Sequence, residues 1–184
     1  MALKATIFRA VIQIADIDRS YYHEHTLTLA RHPSETDERM MIRLLAFALH
    51  ASDTLQFTKG LSTDDEPELW QLSYSDEIEL WIDVGQPDEK RLRKACNRAN
   101  QVFLYCYGGR SVPLWWQQNE AKLKRFKNLS VIDLSAEATD QLANFAQKNM
   151  QLEFTIQDNH IFISHGQNSV GIELTFLQQP VKNY

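Results

Sequence analysis

Cysteine is nearly missing from this 184-residue chain: only Cys96 and Cys106 occur, and they fall on different expected elements. Two such thiols give no disulfide framework and suit buried cysteines in a reducing compartment. Long hydrophobic runs are missing too. No stretch of about 18 apolar residues occurs, so no membrane span is expected. Lys4 and Arg9 interrupt an N-terminus without a secretory core, so the cytoplasm is the expected compartment. Nor is positive charge in excess. The formal net charge is −5, unlike proteins that are basic overall to hold nucleic acid. That balance still allows an enzyme that grips nucleic acid locally and carries acidic metal ligands elsewhere. Linkers, low-complexity tracts and repeats are not seen. The length fits one domain, 1–184, as a monomer or small oligomer.

What is present alternates between strand and helix patterns. Residues 3–15 are rich in β-branched side chains, Asp16 to Ser20 supplies a turn, and Tyr21 to Ala30 returns as the second arm of a hairpin. His23 and His25 share a strand face there and read as exposed or packed histidines rather than metal ligands. Ser34 is placed to cap a helix, with Asp37 three residues on, and Met41, Leu45 and Ala48 mark its inner face. Glu38 sits on that inward side, either as a partner of the helix dipole or as a site residue.

Leu55 to Leu61 then reads as a strand ending at Gly60, followed by the acidic turn Asp64-Asp65-Glu66-Pro67-Glu68. Strands are expected from Leu69 to Ser73 and from Ile78 to Val84. Alternation in the second puts Glu79, Trp81 and Asp83 on one face. A helix beginning at Pro87 buries Leu92, Ala95, Cys96 and Ala99, and carries Lys90, Arg91, Arg93, Lys94 and Arg98 on its other faces. By helical angle Arg91 lies nearest the buried boundary. Gln101 to Tyr107 suits a central strand. Helices around 112–126 and 136–149, the latter capped by Ser135, flank a strand at 129–134. Strands at 151–157, 161–164 and 170–177 close the chain. The fold class expected is α/β: one αβββαβ core over about 34–107 with a mixed sheet, an N-terminal β-hairpin and antiparallel C-terminal β additions.

That order, with Pro67-Glu68 opening one strand and Asp83-Val84-Gly85 ending the next, resembles the PD-(D/E)xK nuclease superfamily. There, a Pro-Asp pair precedes an acid-x-Lys tripeptide. A closer resemblance, to the bacterial YaeQ family, covers nearly the whole chain. It rests on the start Met-Ala-Leu-Lys-Ala-Thr-Ile, Leu29 to Thr36, Asp64-Asp65-Glu66-Pro67, Leu80-Trp81-Ile82, Gln86-Pro87-Asp88-Glu89, Lys94-Ala95 and Trp115-Trp116-Gln117-Gln118-Asn119. It implies a restriction-endonuclease-like fold around a variant PD-(D/E)xK core.

The resemblance implies Glu68 and Asp83 as ligands of Mg²⁺ or Mn²⁺, with Asp65 able to stand in for Glu68 and Glu38 able to bind metal-linked water. Such an ion needs only one or two carboxylates plus a substrate phosphate, and it activates water for in-line attack. Gly85 stands where the superfamily has lysine, so a catalytic cation comes from Arg91 or Lys94, more remotely from Lys59, or is absent. The bland alternative makes the acids a solvated turn, the cations an exposed helix face, and Trp115 and Trp116 packing residues. Two functions are expected to compete: a Mg²⁺-dependent phosphodiesterase acting on nucleic acid, and a nuclease-like module that binds nucleic acid or protein without turnover.

Overall fold

Strict alternation opens the chain. In β1 (Thr6–Asp16), Phe8, Ala10, Ile12 and Ile14 are buried while Arg9 and Gln13 stand exposed on the opposite face. Asp16 ends the strand by accepting from the backbone and side chain of Arg19 at 3.1 and 2.6 Å. The chain returns as β2 (Tyr21–Arg31), paired antiparallel from Asp16↔Tyr21 to Thr6↔Arg31. The computed structural model describes residues 4–59 and 64–181. Among them the chain is a mixed α/β fold with two mixed sheets and four helices. It divides into two compact units.

The first unit holds residues 1–50 and 137–174. Its sheet runs β10-β9-β8-β1-β2, where β8 is Asn149–Gln157, β9 His160–His165 and β10 Asn168–Glu173. The hairpin and the C-terminal strands are therefore one sheet: β8, β9 and β10 pair antiparallel with one another as expected, and β8 joins the hairpin by lying parallel to β1. Met150, Leu152, Phe154, Ile156, Ile161, Ile163, Val170 and Ile172 extend the buried face begun by β1. Helix α1 (Asp37–His50) is buried all along Met40–Ala48. Its cap is Thr36, whose hydroxyl accepts from the Arg39 N–H at 3.1 Å, whereas Ser34 is drawn off to His32 Nδ1 at 2.7 Å. Just before the helix, Glu35 is buried against Arg43, which donates to both its oxygens at 2.7 Å. Helix α4 (Ala136–Ala143) is shorter than the expected 136–149: it closes in tighter i to i−3 bonds from Asn144, Phe145 and Ala146, and Asn149 already belongs to β8.

The second unit holds residues 51–136 and 175–184, with a sheet ordered β11-β7-β6-β5-β4-β3. Its elements are β3 (Leu55–Phe57), β4 (Leu69–Leu72), β5 (Ile78–Val84), α2 (Glu89–Arg98), β6 (Ala99–Cys106), α3 (Ser111–Leu123), β7 (Leu129–Asp133) and β11 (Thr175–Gln178). The expected end of the first strand at Gly60 and Leu61 lies outside the described residues. Strands β5, β6 and β7 are parallel, joined through α2 and α3, while β3, β4 and β11 pair antiparallel at the edges. Trp81, Leu92, Ala95, Val102, Leu104, Val112, Leu123 and Val131 form its core, with Trp115 and Trp116 packed against it. The expected run 170–177 is split, since β10 ends at Glu173 in one sheet and β11 begins at Thr175 in the other.

Candidate functional site

Strand β5 is flanked by β4 and β6, and Trp81, Ile82, Asp83 and Val84 are all buried. A buried carboxylate is costly unless it is paired and hydrogen-bonded, and Asp83, 2% exposed, finds its partner on the next helix. Gly85 turns the chain there with φ +114°, and its N–H donates to the Tyr105 carbonyl at 2.9 Å. Open space surrounds a Cβ built at Gly85, so the backbone angle, not crowding, selects glycine. A lysine at this position would carry that strain, so the cation beside Asp83 comes from α2.

Asp88 caps α2 by accepting from the Arg91 N–H at 2.9 Å. The helix thus begins at Glu89, with Pro87 outside it, and Arg91 falls in the first turn. Arg91 Nε and Nη2 donate to Asp83 Oδ2 and Oδ1 at 3.0 and 2.9 Å, a bidentate fork that matches the planar carboxylate. The same guanidinium also donates to the carbonyls of Glu66 at 3.0 Å and Asp64 at 3.4 Å. Burial works to lower the Arg91 pKa. The Asp83 hydrogen bonds and charge, then Glu68 and Asp64, outweigh it and hold the group above its ordinary value.

The acidic turn lies along the same helix. Lys94 Nζ pairs with the Asp65 carboxylate, and Arg98 donates to the Asp65 carbonyl at 2.8 Å while its guanidinium sits 5.5 Å from the Trp81 ring centre. The Lys94 hydrogen bond and charge, with Arg98 behind them, hold the Asp65 carboxyl below its usual range. Glu68 is 4% exposed, and its N–H donates to the Ile82 carbonyl at 3.0 Å, which fixes it beside the end of β5.

The structure therefore brings Asp65, Glu68, Asp83, Arg91 and Lys94 to one end of the second unit. Glu38 belongs to the first unit, where it accepts from the Thr139 hydroxyl at 2.7 Å. Lys59 is exposed. A groove of about 620 Å³ runs along α2, lined by Lys90, Arg91, Arg93 and Lys94 with Asp64, Asp88 and Asn97. Lys90 and Arg93 are exposed on it, and Arg93 lies 3.9 Å from Glu89.

The family model described as YaeQ protein matches residues 1–174. The chain belongs to the YaeQ family. It is 51% identical to the YaeQ protein of Salmonella typhi and 49% identical to that of Escherichia coli K12, each alignment covering 98% of this chain and 99% of the relative. The crystal structure of YaeQ from Xanthomonas axonopodis pv. citri matches with a TM-score of 0.93 at 48% identity, covering 96% of this chain and 99% of that one. YaeQ from Pseudomonas syringae matches with a TM-score of 0.91 at 32% identity, covering 95% and 97%.

In this YaeQ chain two of the three expected metal ligands, Asp83 and Asp65, are held by cations of α2. Both Asp83 oxygens face the Arg91 fork, and the Asp65 carboxylate faces Lys94. Among the described residues no group of three His, Cys, Asp or Glu side chains is placed to hold an ion. In this arrangement Arg91 and Lys94 occupy carboxylate oxygens that the resemblance assigned to a divalent cation. Sequence reasoning kept both Arg91, favoured by helical angle, and Lys94; Arg91 is the one that reaches Asp83, while Lys94 pairs with Asp65. It missed the second role of Arg91 and Arg98, which hold carbonyls of the acidic turn, because backbone acceptors leave no mark in residue types. It also missed the Asp88 cap, although Asp-Glu ahead of a basic amphipathic run is a helix-start signal. Cys96 and Cys106 read correctly as packed thiols: burial pushes Cys96 up to about 12 and raises Cys106 too, to which the Asp133 charge adds.

Proposed function

We propose that this YaeQ chain is a non-catalytic nucleic-acid-binding module on a variant PD-(D/E)xK-like frame. The single observation that carries the reading is the bidentate Arg91–Asp83 pair. A metal-dependent nuclease needs its strand-end carboxylate open to the ion, and here a tethered guanidinium occupies both oxygens. Within the second unit, the order β3–β4–β5–α2–β6 supports the frame. Binding is supported by the α2 groove, where Lys90 and Arg93 are exposed beside Lys94.

Helix α2 has 10 residues, so it spans about 15 Å at 1.5 Å per residue, enough to lie along a few phosphates of one strand. Cations three and four residues apart share a face, so Lys90, Arg93 and Lys94 can meet successive phosphates. Such contacts give affinity without sequence selectivity. Labelled single- and double-stranded DNA and RNA, titrated at low salt and followed by fluorescence anisotropy, test this. Wild type should bind, Lys90→Ala with Arg93→Ala should weaken binding several-fold, and no cleavage should accompany it with Mg²⁺ or Mn²⁺. Metal-dependent cleavage that Asp83→Asn abolishes would replace this reading with the hydrolase.

A further inference from the structure

The cations of α2 are already met by the chain itself. Asp65 gives its carboxylate to Lys94 and its carbonyl to Arg98, while the carbonyls of Asp64 and Glu66 accept from Arg91. Three of the helix's five cations thus hold one acidic turn, while Lys90 and Arg93 stand exposed in the groove beside Asp64, Asp88 and Asn97. The two kinds of contact differ. Those of Arg91 and Arg98 go to backbone carbonyls, which substitution leaves in place. That of Lys94 goes to a side-chain carboxylate on a residue whose side chain is 80% exposed, with Lys94 itself 41% exposed. An exposed ion pair contributes little to folding, so Asp65 is not needed to build the unit. It does keep a cation occupied where a phosphate would sit.

We propose that Asp65 acts as a built-in competitor for Lys94, lowering the affinity of the α2 face for a nucleic-acid phosphate. This rests on the binding reading above and adds its regulation. A phosphate reaching Lys94 must displace the carboxylate, so the turn weakens binding of any strand and sets a threshold of anionic density. A strand whose phosphates also engage Lys90 and Arg93 exchanges the Asp65–Lys94 pair and the long Glu89–Arg93 pair for three intermolecular ones. A lone phosphate has only Lys94 to gain.

The experiment uses the full chain and a fluorescein-labelled single-stranded DNA of about twenty nucleotides, a length well beyond the few phosphates that one helix face can contact. Wild type, Asp65→Asn, Lys94→Ala and the double variant are titrated across a range of salt. Asp76→Asn, on a different turn, controls for net charge, and circular dichroism checks that each variant is folded. Asp65→Asn should bind three- to tenfold tighter than wild type. Its log–log salt slope should steepen by about 0.7, the share of one additional phosphate contact on single strands. The gain should vanish when Lys94→Ala is added, and Asp76→Asn should match wild type. Equal affinity and slope for Asp65→Asn and wild type would overturn the competitor role while leaving the binding reading in place. So would an equal gain in Asp76→Asn. Failure of wild type and Asp65→Asn alike to bind would overturn both.

Discussion

The Arg91 guanidinium grips both oxygens of the Asp83 carboxylate, at 3.0 and 2.9 Å, and that carboxylate is 2% exposed. Strand β5 ends and α2 begins around this pair. Removing Arg91 strands a buried charge, which costs about 3–5 kcal/mol, whereas removing Asp83 leaves a partly exposed guanidinium still donating to the Glu66 and Asp64 carbonyls. Arg91→Ala should lower unfolding free energy in urea by about that amount, and Asp83→Ala by less. Arg91→Lys keeps the charge but not the fork, so it should fall between wild type and Arg91→Ala. A loss below about 0.5 kcal/mol, the size of a surface substitution, would mean the pair does not hold the fold.

The same pair predicts indifference to divalent ions. A ligand that binds only the folded state raises the unfolding midpoint, with the logarithm of its concentration once it exceeds its Kd. With both Asp83 oxygens held by Arg91, millimolar Mg²⁺ or Mn²⁺, or their removal by chelator, should leave the midpoint of wild type unchanged. A rise with metal that Asp83→Asn abolishes would show the guanidinium yielding its place.

Gly85 carries φ +114° with open space around its Cβ position. Gly85→Ala and Gly85→Lys should therefore cost about the same, on the order of 1–3 kcal/mol of backbone strain. The added lysine should bring no metal-dependent cleavage, because Asp83 remains held. Equilibrium denaturation and a nuclease assay read the two halves of this prediction.

His50, half-buried at the end of α1, has its pKa lowered to about 3, by burial first and then by the charge of Arg19. An unfolded histidine takes up its proton near pH 6.5, whereas the folded one does so only near 3. Between those values the unfolded state binds more protons, so stability is lost as pH falls, by up to about 1.4 kcal/mol per pH unit. His50→Gln should flatten the acid limb of stability against pH over this window. An unchanged limb would place the loss elsewhere.

Local features were legible in the sequence. The alternation of Ile78 to Val84 and the i, i+3, i+4, i+7 spacing of Leu92, Ala95, Cys96 and Ala99 gave β5 and the buried side of α2 nearly as found. What was not legible depends on partners distant in the chain. Nothing in Asn149–Gln157 alone says that it pairs with β1 rather than with its own neighbours only. Nothing in Glu35 says that Arg43, a helix face away, will bury it. The competition between Ser34 and Thr36 for the cap was decided by His32 drawing off the serine hydroxyl. At the site, residue types pointed to an ion at Asp83, and the structure seats the Arg91 guanidinium against that carboxylate.

A native gel of labelled single-stranded DNA, incubated with the protein and Mg²⁺ and then denatured in a second lane, tests the central claim most directly. The account predicts a retarded band in the native lane and a full-length strand in the denatured one. Shortened strands, or no retardation at low salt, would contradict it.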